Sequence, residues 1–211
     1  MSDAIRDRML AQALLEIPLT GVSDASLAVA AEKTGVSKRE AADAFPLGPA
    51  SLAEAFSHWA DRCMTESLAA QSGQRMRERI TAAVRTRIAV LGPHKEAARR
   101  TAAFLGQPQH AALGARLVMD SVDAMWRAAG DRSSDFSYYT KRATLGAVYG
   151  ATFAYWLSDS SEDHAATWAF LDKRINNVMQ FEKFKGAAKA AMSKLPDPLT
   201  FFSTLRGRGK P

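Results

Sequence analysis

Residues 119–179 read MDSVDAMWRAAGDRSSDFSYYTKRATLGAVYGATFAYWLSDSSEDHAATWAFLDKRINNVM and hold three of the four tryptophans and all four tyrosines. Within them, residues 143–158 form the longest run without a charged side chain. A helix that spans a bilayer needs roughly 20 apolar residues, so this run is too short to cross a membrane. Because it mixes bulky side chains with glycine and alanine, it predicts a buried helix with space beside the small residues. Either neighbouring helices or an apolar ligand fill that space.

The remainder of the chain predicts an all-α fold. The 211 residues are enough for one domain with a small appendage, and 47% hydrophobic with 24% charged residues is a globular composition. Strand patterns are scarce, whereas residues that favour helices are abundant. Residues 1–16 are charged from the start and lack the apolar core of a signal peptide. Together with a single cysteine, Cys63, this predicts a reducing, cytoplasmic location.

Proline and glycine breaks divide the chain into three predicted parts. Residues 1–48 form a helix-turn-helix-like subdomain, whose first helix is expected to be stopped by Pro18 and Gly21. Residues 49–180 form the main helical domain, in which Gly130 is expected to end one helix and Ser161 or Asp163 to cap the last one. Within it, residues 75–91 predict an amphipathic helix whose arginines lie on a solvated face. Residues 181–211 form a basic tail.

Residues 25–45 predict two short helices joined by a turn at residues 34–36, which is the helix-turn-helix pattern. Ser37 is expected to cap the second helix, and Lys38 and Arg39 would enter the major groove if this unit bound DNA. The same helix offers three alanines where contacts to bases or phosphates are needed, and acidic neighbours dilute its charge. A structural corner is therefore favoured over a DNA-binding unit, and nucleic acid is not the expected partner.

The sequence carries no recognisable catalytic or metal-binding motif. It has no HExxH motif, no CxxC pair and no phosphate-binding glycine loop, and its four histidines are scattered. We therefore expect no catalytic residues, no metal site and no cofactor.

The tail predicts an amphipathic helix over residues 181–195. Residues 182–211 hold seven lysines and arginines against two acidic residues, so +5 of the net charge of +6 lies there. An apolar stripe edged by lysine is typical of a helix that lies in the plane of an anionic membrane, and packing on its own domain is the alternative. The residues predicted to contact the membrane are Phe181, Lys183, Phe184, Lys185, Lys189, Met192, Lys194 and Leu195.

Over residues 117–179 the chain resembles the ubiquinone-biosynthesis accessory proteins of the ninth coenzyme Q factor family. The matching segments are residues 126–131, 134–136, 139–142, 159–161 and 167–171, with Tyr149, Arg174 and Ile175. The resemblance implies a fold like that of TetR regulators. It also implies a non-enzymatic protein that binds an isoprenoid lipid or quinone precursor and presents it to the demethoxyubiquinone hydroxylase.

The resemblance also implies where the partner binds. The implied partner-binding residues are Asp135, Tyr138, Tyr139 and Arg142, and we expect them to be exposed. Exposed aromatic side chains beside an arginine are typical of interface hot spots. The alternative is that one of the two tyrosines packs inward.

An isoprenoid tail needs an apolar cavity to leave the bilayer, because each buried CH₂ contributes roughly 0.8 kcal/mol of retention. We expect the slot to lie beside residues 143–158, with ordinary core packing as the alternative. The residues predicted to line it are Leu117, Met125, Leu145, Tyr149, Phe153, Trp156, Trp168 and Leu171.

Two leading classes of function follow from these patterns, and an enzyme whose catalytic residues form no recognisable motif is a third. The first is a lipid-binding accessory protein, located in the cytoplasm and peripheral on the inner face of the cell membrane. The second is a TetR-like transcriptional regulator with an apolar effector pocket. Both predict a homodimer formed through the helix that contains residues 168–179.

Overall fold

The computed structural model describes residues 2–69, 75–131 and 136–192. These residues form α-helices joined by short turns, and no strand occurs among them, so the predicted all-α class is confirmed. The helices are α1 (Ser2–Thr20), α2 (Asp24–Thr34), α3 (Lys38–Ala44), α4 (Pro49–Leu68), α5 (Met76–Leu91), α6 (Lys95–Leu105), α7 (Ala111–Ala128), α8 (Phe136–Ser158) and α9 (Ala165–Met192).

The predicted corner between α2 and α3 is present. Gly35 ends α2 with φ of 66°, a left-handed conformation that glycine adopts without strain. The hydroxyl of Ser37 then accepts a hydrogen bond from the amide of Glu40, whose carboxylate accepts from the amide of Ser37. This reciprocal pair is a capping box, so the predicted cap at Ser37 is confirmed.

Helix α1 continues beyond its expected end. Pro18 lies inside the helix, which ends at Thr20, so the prediction that Pro18 stops it is wrong. Proline removes one amide donor, but only two residues follow it in the helix, and the amide of Gly21 still donates to the carbonyl of Ile17. Leu14 and Ile17 are buried and hold this last turn against the protein core.

Helices α4, α5, α7 and α8 pack together as the main bundle. Its core is made by side chains that are completely buried, among them Leu52, Met64, Ile88, Val122 and Met125. Helix α7 ends as predicted at Gly130, which has φ of 83°. The amides that follow the helix donate back to the carbonyls of its last turn, which gives the Schellman arrangement.

The connection from α8 to α9 is organised by Asp159. Its carboxylate accepts hydrogen bonds from the amide of Ser161 (2.8 Å) and from the amide and hydroxyl of Thr167 (2.9 and 2.5 Å). Ser161 also acts as predicted, because its hydroxyl accepts from the amide of Ala166. The prediction named Ser161 or Asp163 as the cap and missed Asp159, which lies before the turn rather than at the helix start.

Helix α9 is continuous from Ala165 to Met192, so the prediction that a separate helix begins at residue 181 is wrong. The sequence has no proline between these residues to interrupt it. The chain divides after Leu171 into two compact units. The first holds α1 to α8 and the start of α9, and the described part of the second is the rest of α9. The predicted domain boundaries at residues 48 and 180 stay predictions.

Candidate functional site

A cavity of about 110 Å³ lies between α4, α5, α6, α7 and α8, entirely within the first unit. Most of its wall is apolar. The bulky apolar residues that line it are Phe56, Leu91, Leu105, Leu117, Val118 and Phe153.

Small residues create the space. Ala53, Ala98, Ala102 and Gly150 line the cavity from α4, α6 and α8. A Cβ atom built on Gly150 would meet no atom within 4 Å, so open space begins directly at the backbone of α8. The predicted space beside the small residues of the segment 143–158 is therefore present at Gly150, whereas side chains of α7 fill it beside Gly146.

One part of the cavity wall is polar and charged. The guanidinium of Arg87 donates from Nε to Oδ1 of Asp61 at 2.6 Å, and both residues are buried. Its two other nitrogens donate to the phenol oxygen of Tyr149 and to the hydroxyl of Ser57. The hydroxyl of Ser121 lies 3.2 Å from the other carboxylate oxygen of Asp61. Four helices thus meet at one buried ion pair.

The charge states of this cluster follow from its contacts. Burial alone would lower the pKa of Arg87, but Tyr149 and Asp61 together raise it above its ordinary value. Burial raises the pKa of Tyr149, and the nearby Arg87 opposes that shift only in part. Arginine therefore stays charged and the phenol stays protonated at neutral pH, so Tyr149 keeps an O–H group at the cavity wall.

Sequence reasoning missed this cluster. The arginines of residues 75–91 were expected on a solvated face, and for Arg87 that expectation is wrong because only 4% of the residue is exposed. The signal was in the spacing: Ile80, Val84, Arg87 and Leu91 recur at intervals of three and four residues, and all four are buried on one face of α5.

The eight residues predicted to line a lipid slot fall into three groups. Leu117, Tyr149 and Phe153 line the cavity. Trp168 is partly exposed, its indole nitrogen donates to the carbonyl of Asp163, and the guanidinium of Arg85 lies over its ring. The remaining four are buried core residues that do not line this cavity, namely Met125, Leu145, Trp156 and Leu171.

The implied partner-binding residues are not equally accessible. Tyr139 is 71% exposed, whereas Tyr138 is half-buried and donates from its phenol to Oδ1 of Asp123. Arg142 is buried, so the expectation that it is exposed is wrong. Its guanidinium is paired with Asp123 at 2.6 Å and Asp131 at 3.6 Å, two carboxylates that need a positive charge between them. Asp135 lies outside the described residues.

Helix α9 includes most of the residues predicted to contact a membrane. The backbone of Phe181, Lys183, Phe184, Lys185, Lys189 and Met192 is helical, but their side chains lie outside the described part. Lys194 and Leu195 lie outside it altogether. Of the helices in the described ranges, none combines the length and the apolar character that crossing a membrane requires.

Comparison with known proteins identifies relatives along most of the chain. The COQ9 family model matches residues 111–182. The chain is 32% identical over 186 residues to the ubiquinone biosynthesis protein COQ9, mitochondrial, of Drosophila melanogaster, covering 85% of this chain and 57% of that protein. It is also 32% identical over 189 residues to the Homo sapiens protein of the same name, covering 84% and 58%. The chain thus spans less than two thirds of these relatives' length, and the resemblance to this family is confirmed.

A solved structure supports the fold. The TetR transcriptional regulator from Nitrosomonas europaea superposes with a TM-score of 0.65 at 20% identity, covering 82% of this chain and 97% of that one. At this identity the likeness shows the fold alone, and the TetR-like architecture is confirmed.

The predicted location is wrong. The cytoplasm and the inner face of the cell membrane were expected, but the relatives from Drosophila melanogaster, Rattus norvegicus and Homo sapiens are all named as mitochondrial proteins. A single cysteine is compatible with any compartment that forms no disulfides, so the pattern on which the prediction rested did not distinguish between them.

Proposed function

We propose that this chain, a relative of the COQ9 proteins, is a non-enzymatic accessory protein of ubiquinone biosynthesis. It binds an isoprenoid lipid or a quinone precursor in the cavity that helices α4 to α8 line. It presents that molecule at a membrane surface to the demethoxyubiquinone hydroxylase. The observation that carries the proposal is the apolar cavity that opens at Gly150, in a chain whose relatives are named for ubiquinone biosynthesis.

The size of the cavity limits what it holds. An engineered apolar cavity of about 150 Å³ takes up benzene. A cavity of about 110 Å³ is smaller than that, so a single substituted ring or one isoprene unit enters only if the lining residues move outward. Since each buried CH₂ contributes roughly 0.8 kcal/mol, the rest of a long tail gains affinity only if it is covered outside this cavity as well.

A variant that fills the cavity tests the binding site. In Gly150→Leu the Cβ atom enters open space beside the cavity, so we expect the rest of the side chain to occupy part of the cavity. We expect titration with decylubiquinone to give an affinity at least about tenfold weaker for Gly150→Leu than for the natural protein, since it loses the burial of several carbons. An unchanged affinity would show that the ligand lies elsewhere.

Gly146→Ala is the matched control. It also replaces a glycine of α8, but its Cβ meets only side-chain atoms at 3.9 Å, an ordinary contact, and Gly146 does not line the cavity. We expect unchanged affinity and a gain in stability of about 0.5–1 kcal/mol, the usual effect of replacing glycine within a helix. If Gly146→Ala also binds decylubiquinone more weakly, the effect of Gly150→Leu comes from replacing a glycine in α8 and not from filling the cavity.

The partner surface in this proposal is centred on Tyr139. Its exposed ring packs edge-on against Tyr138, with 5.2 Å between the ring centroids. Arg142 lies with its guanidinium over the Tyr138 ring at 3.4 Å. In this arrangement Tyr139 contacts the hydroxylase, and Tyr138 and Arg142 hold it in position from below.

Membrane contact and self-association complete the proposal. Residues 181–195 lie on the membrane surface, and two copies pair through residues 168–179. Sedimentation with vesicles that contain anionic lipid tests the first part, and we expect binding that falls as salt rises. Sedimentation equilibrium tests the second, with the mass of two 22.9 kDa chains as the expected result.

A further inference from the structure

We propose that Tyr149 recognises an oxygen atom on the bound molecule, so that the cavity selects an oxygen-bearing ring over a plain hydrocarbon. The inference rests on the proposed function and adds to it the part of the ligand that enters the cavity. The ligand class is a ring that carries carbonyl or ether oxygens, such as a substituted benzoquinone.

The geometry leaves one hydrogen-bond donor without a partner. The phenol oxygen of Tyr149 accepts a hydrogen bond from the guanidinium of Arg87, so its own proton is not used in that contact. Among the described residues none accepts that proton, although Tyr149 is only 4% exposed and lines the cavity. A buried donor without an acceptor is unfavourable, and an acceptor oxygen on a ligand satisfies it.

Arg87 determines whether the hydroxyl of Tyr149 donates or accepts a hydrogen bond in a contact with the ligand. Asp61 fixes the guanidinium through Nε, and Ser57 accepts from the opposite nitrogen. The remaining nitrogen is thereby held against the phenol oxygen, where its positive charge strengthens the O–H group as a donor and weakens the oxygen as an acceptor. The site therefore favours ligands that accept a hydrogen bond, and it disfavours ligands that bring a positive charge.

The cluster differs from an ordinary buried ion pair in its position. A pair that serves only to join helices is enclosed by side chains, whereas Ser57, Arg87, Ser121 and Tyr149 all border open space. The rest of that space is bordered mainly by carbon, so an entering ring meets polar atoms on one side and apolar walls on the others. A site with this layout fixes the orientation of a ring as well as its presence.

Two probes of nearly equal shape test the inference. Tetramethyl-1,4-benzoquinone carries two carbonyl oxygens, and 1,2,4,5-tetramethylbenzene carries none. We expect equilibrium dialysis with the full chain to show about tenfold tighter binding of the quinone, as a single satisfied hydrogen bond provides. Equal affinities for the two probes would overturn the inference, whatever any variant does.

Tyr149→Phe removes the hydroxyl and keeps the ring. We expect this variant to bind the quinone more weakly and so to lose the preference for the quinone over tetramethylbenzene. Its affinity for tetramethylbenzene should change less than about twofold. Phe153→Leu is the control, because it alters the same wall without a polar atom and should shift both affinities alike. A preference retained by Tyr149→Phe would overturn the inference. If thermal unfolding shows that this variant does not fold, the comparison of the two probes on the natural protein decides.

Two further ligands separate this inference from the proposed function. If decylubiquinone binds but the tetramethyl quinone does not, the ring lies outside the cavity and the inference fails while the proposed function stands. If decylubiquinone also fails to bind, the proposed function fails. Dihexanoylphosphatidylcholine offers ester oxygens but no ring. If this lipid alone binds, and Tyr149→Phe weakens its binding, then Tyr149 recognises the head region of a lipid and not a ring, and the inference is overturned.

Discussion

Arg87 Nε lies 2.6 Å from Asp61 Oδ1, with only 5% and 11% of the two side chains exposed. A buried ion pair is costly to break, because the remaining charge is left without compensation in a medium of low polarity. We expect Arg87→Met to lower the free energy of unfolding by about 3–5 kcal/mol, measured by urea denaturation. The double variant Asp61→Leu with Arg87→Met should recover much of that loss, since no charge is then left buried.

The exposed ion pair between Arg62 and Asp7 is the control. Its atoms lie 2.7 Å apart, but about half of each side chain is exposed. We therefore expect Asp7→Ala to change the free energy of unfolding by less than about 1 kcal/mol. An effect of Arg87→Met as small as that of Asp7→Ala would show that the buried pair is not held as described.

Acid should weaken the junction between α8 and α9. The hydrogen bonds from Thr167 and then from Ser161 hold the pKa of Asp159 far below its ordinary value of 3.8. Because the folded-state pKa is the lower one, the ionised carboxylate stabilises the fold above about pH 5, and this contribution is lost as the pH falls below the unfolded value towards the folded one.

The measurement is thermal unfolding of Asp159→Asn against the natural protein at pH 7 and pH 3. We expect a lower Tm for the variant at pH 7 and a smaller difference at pH 3. Asp3→Asn, at an exposed position in the first turn of α1, serves as the control. A difference in Tm for Asp159→Asn that is the same at both pH values is the result that this explanation excludes.

Tyr139 and Arg142 should respond differently to truncation. Because Tyr139 is exposed, we expect Tyr139→Ala to leave the Tm unchanged and to weaken binding to the demethoxyubiquinone hydroxylase about tenfold, the effect of losing an aromatic hot spot. Arg142→Ala removes the buried guanidinium that pairs with both Asp123 and Asp131, and the cations that still pair with them, Arg127 and Lys141, are more exposed, so we expect a lower Tm. Biolayer interferometry and thermal unfolding measure the two effects, and a Tyr139→Ala variant that binds normally would remove this surface from the proposal.

The helix-turn-helix-like corner should not act as a DNA reader. Helix α3 spans only Lys38–Ala44, and the carboxylate of its Glu40 is bound to the Ser37 cap. We expect gel-shift experiments at 150 mM salt to show no sequence-specific complex. A specific complex lost on substituting Lys38 and Arg39 by alanine would favour the transcriptional regulator instead.

Local patterns predicted the fold well. Serine and glycine at the α2–α3 corner and Gly130 after α7 are short-range signals, since each acts on backbone groups within a few residues. Residues 143–158 predicted a helix with space beside its small residues, and that space is present at Gly150, but the expectation that the helix is buried is wrong for the face that holds Ala143, Ala147, Ala151 and Tyr155, which is exposed. The expectation for Pro18 was wrong because a proline so near the end of a helix removes only one backbone hydrogen-bond donor, which is too little to end the helix at that residue.

The candidate site depends on contacts that no local pattern encodes. Asp61, Arg87 and Tyr149 lie far apart in the sequence and meet only when α4, α5 and α8 pack together. The burial of Arg142 could not be predicted for the same reason, because its two acidic partners come from α7 and the turn after it. Of the predicted lining residues, Leu117, Tyr149 and Phe153 reach the cavity, whereas Met125 and Trp156 face solid core.

The central claim is that the cavity at Gly150 holds an isoprenoid or quinone precursor. Mass spectrometry of lipids retained by the purified protein tests it most directly, with Gly150→Leu purified in parallel. We expect a prenylated ring compound in the natural protein and its loss from Gly150→Leu. The same compound in equal amounts in both proteins, or no such compound in either, would contradict the claim.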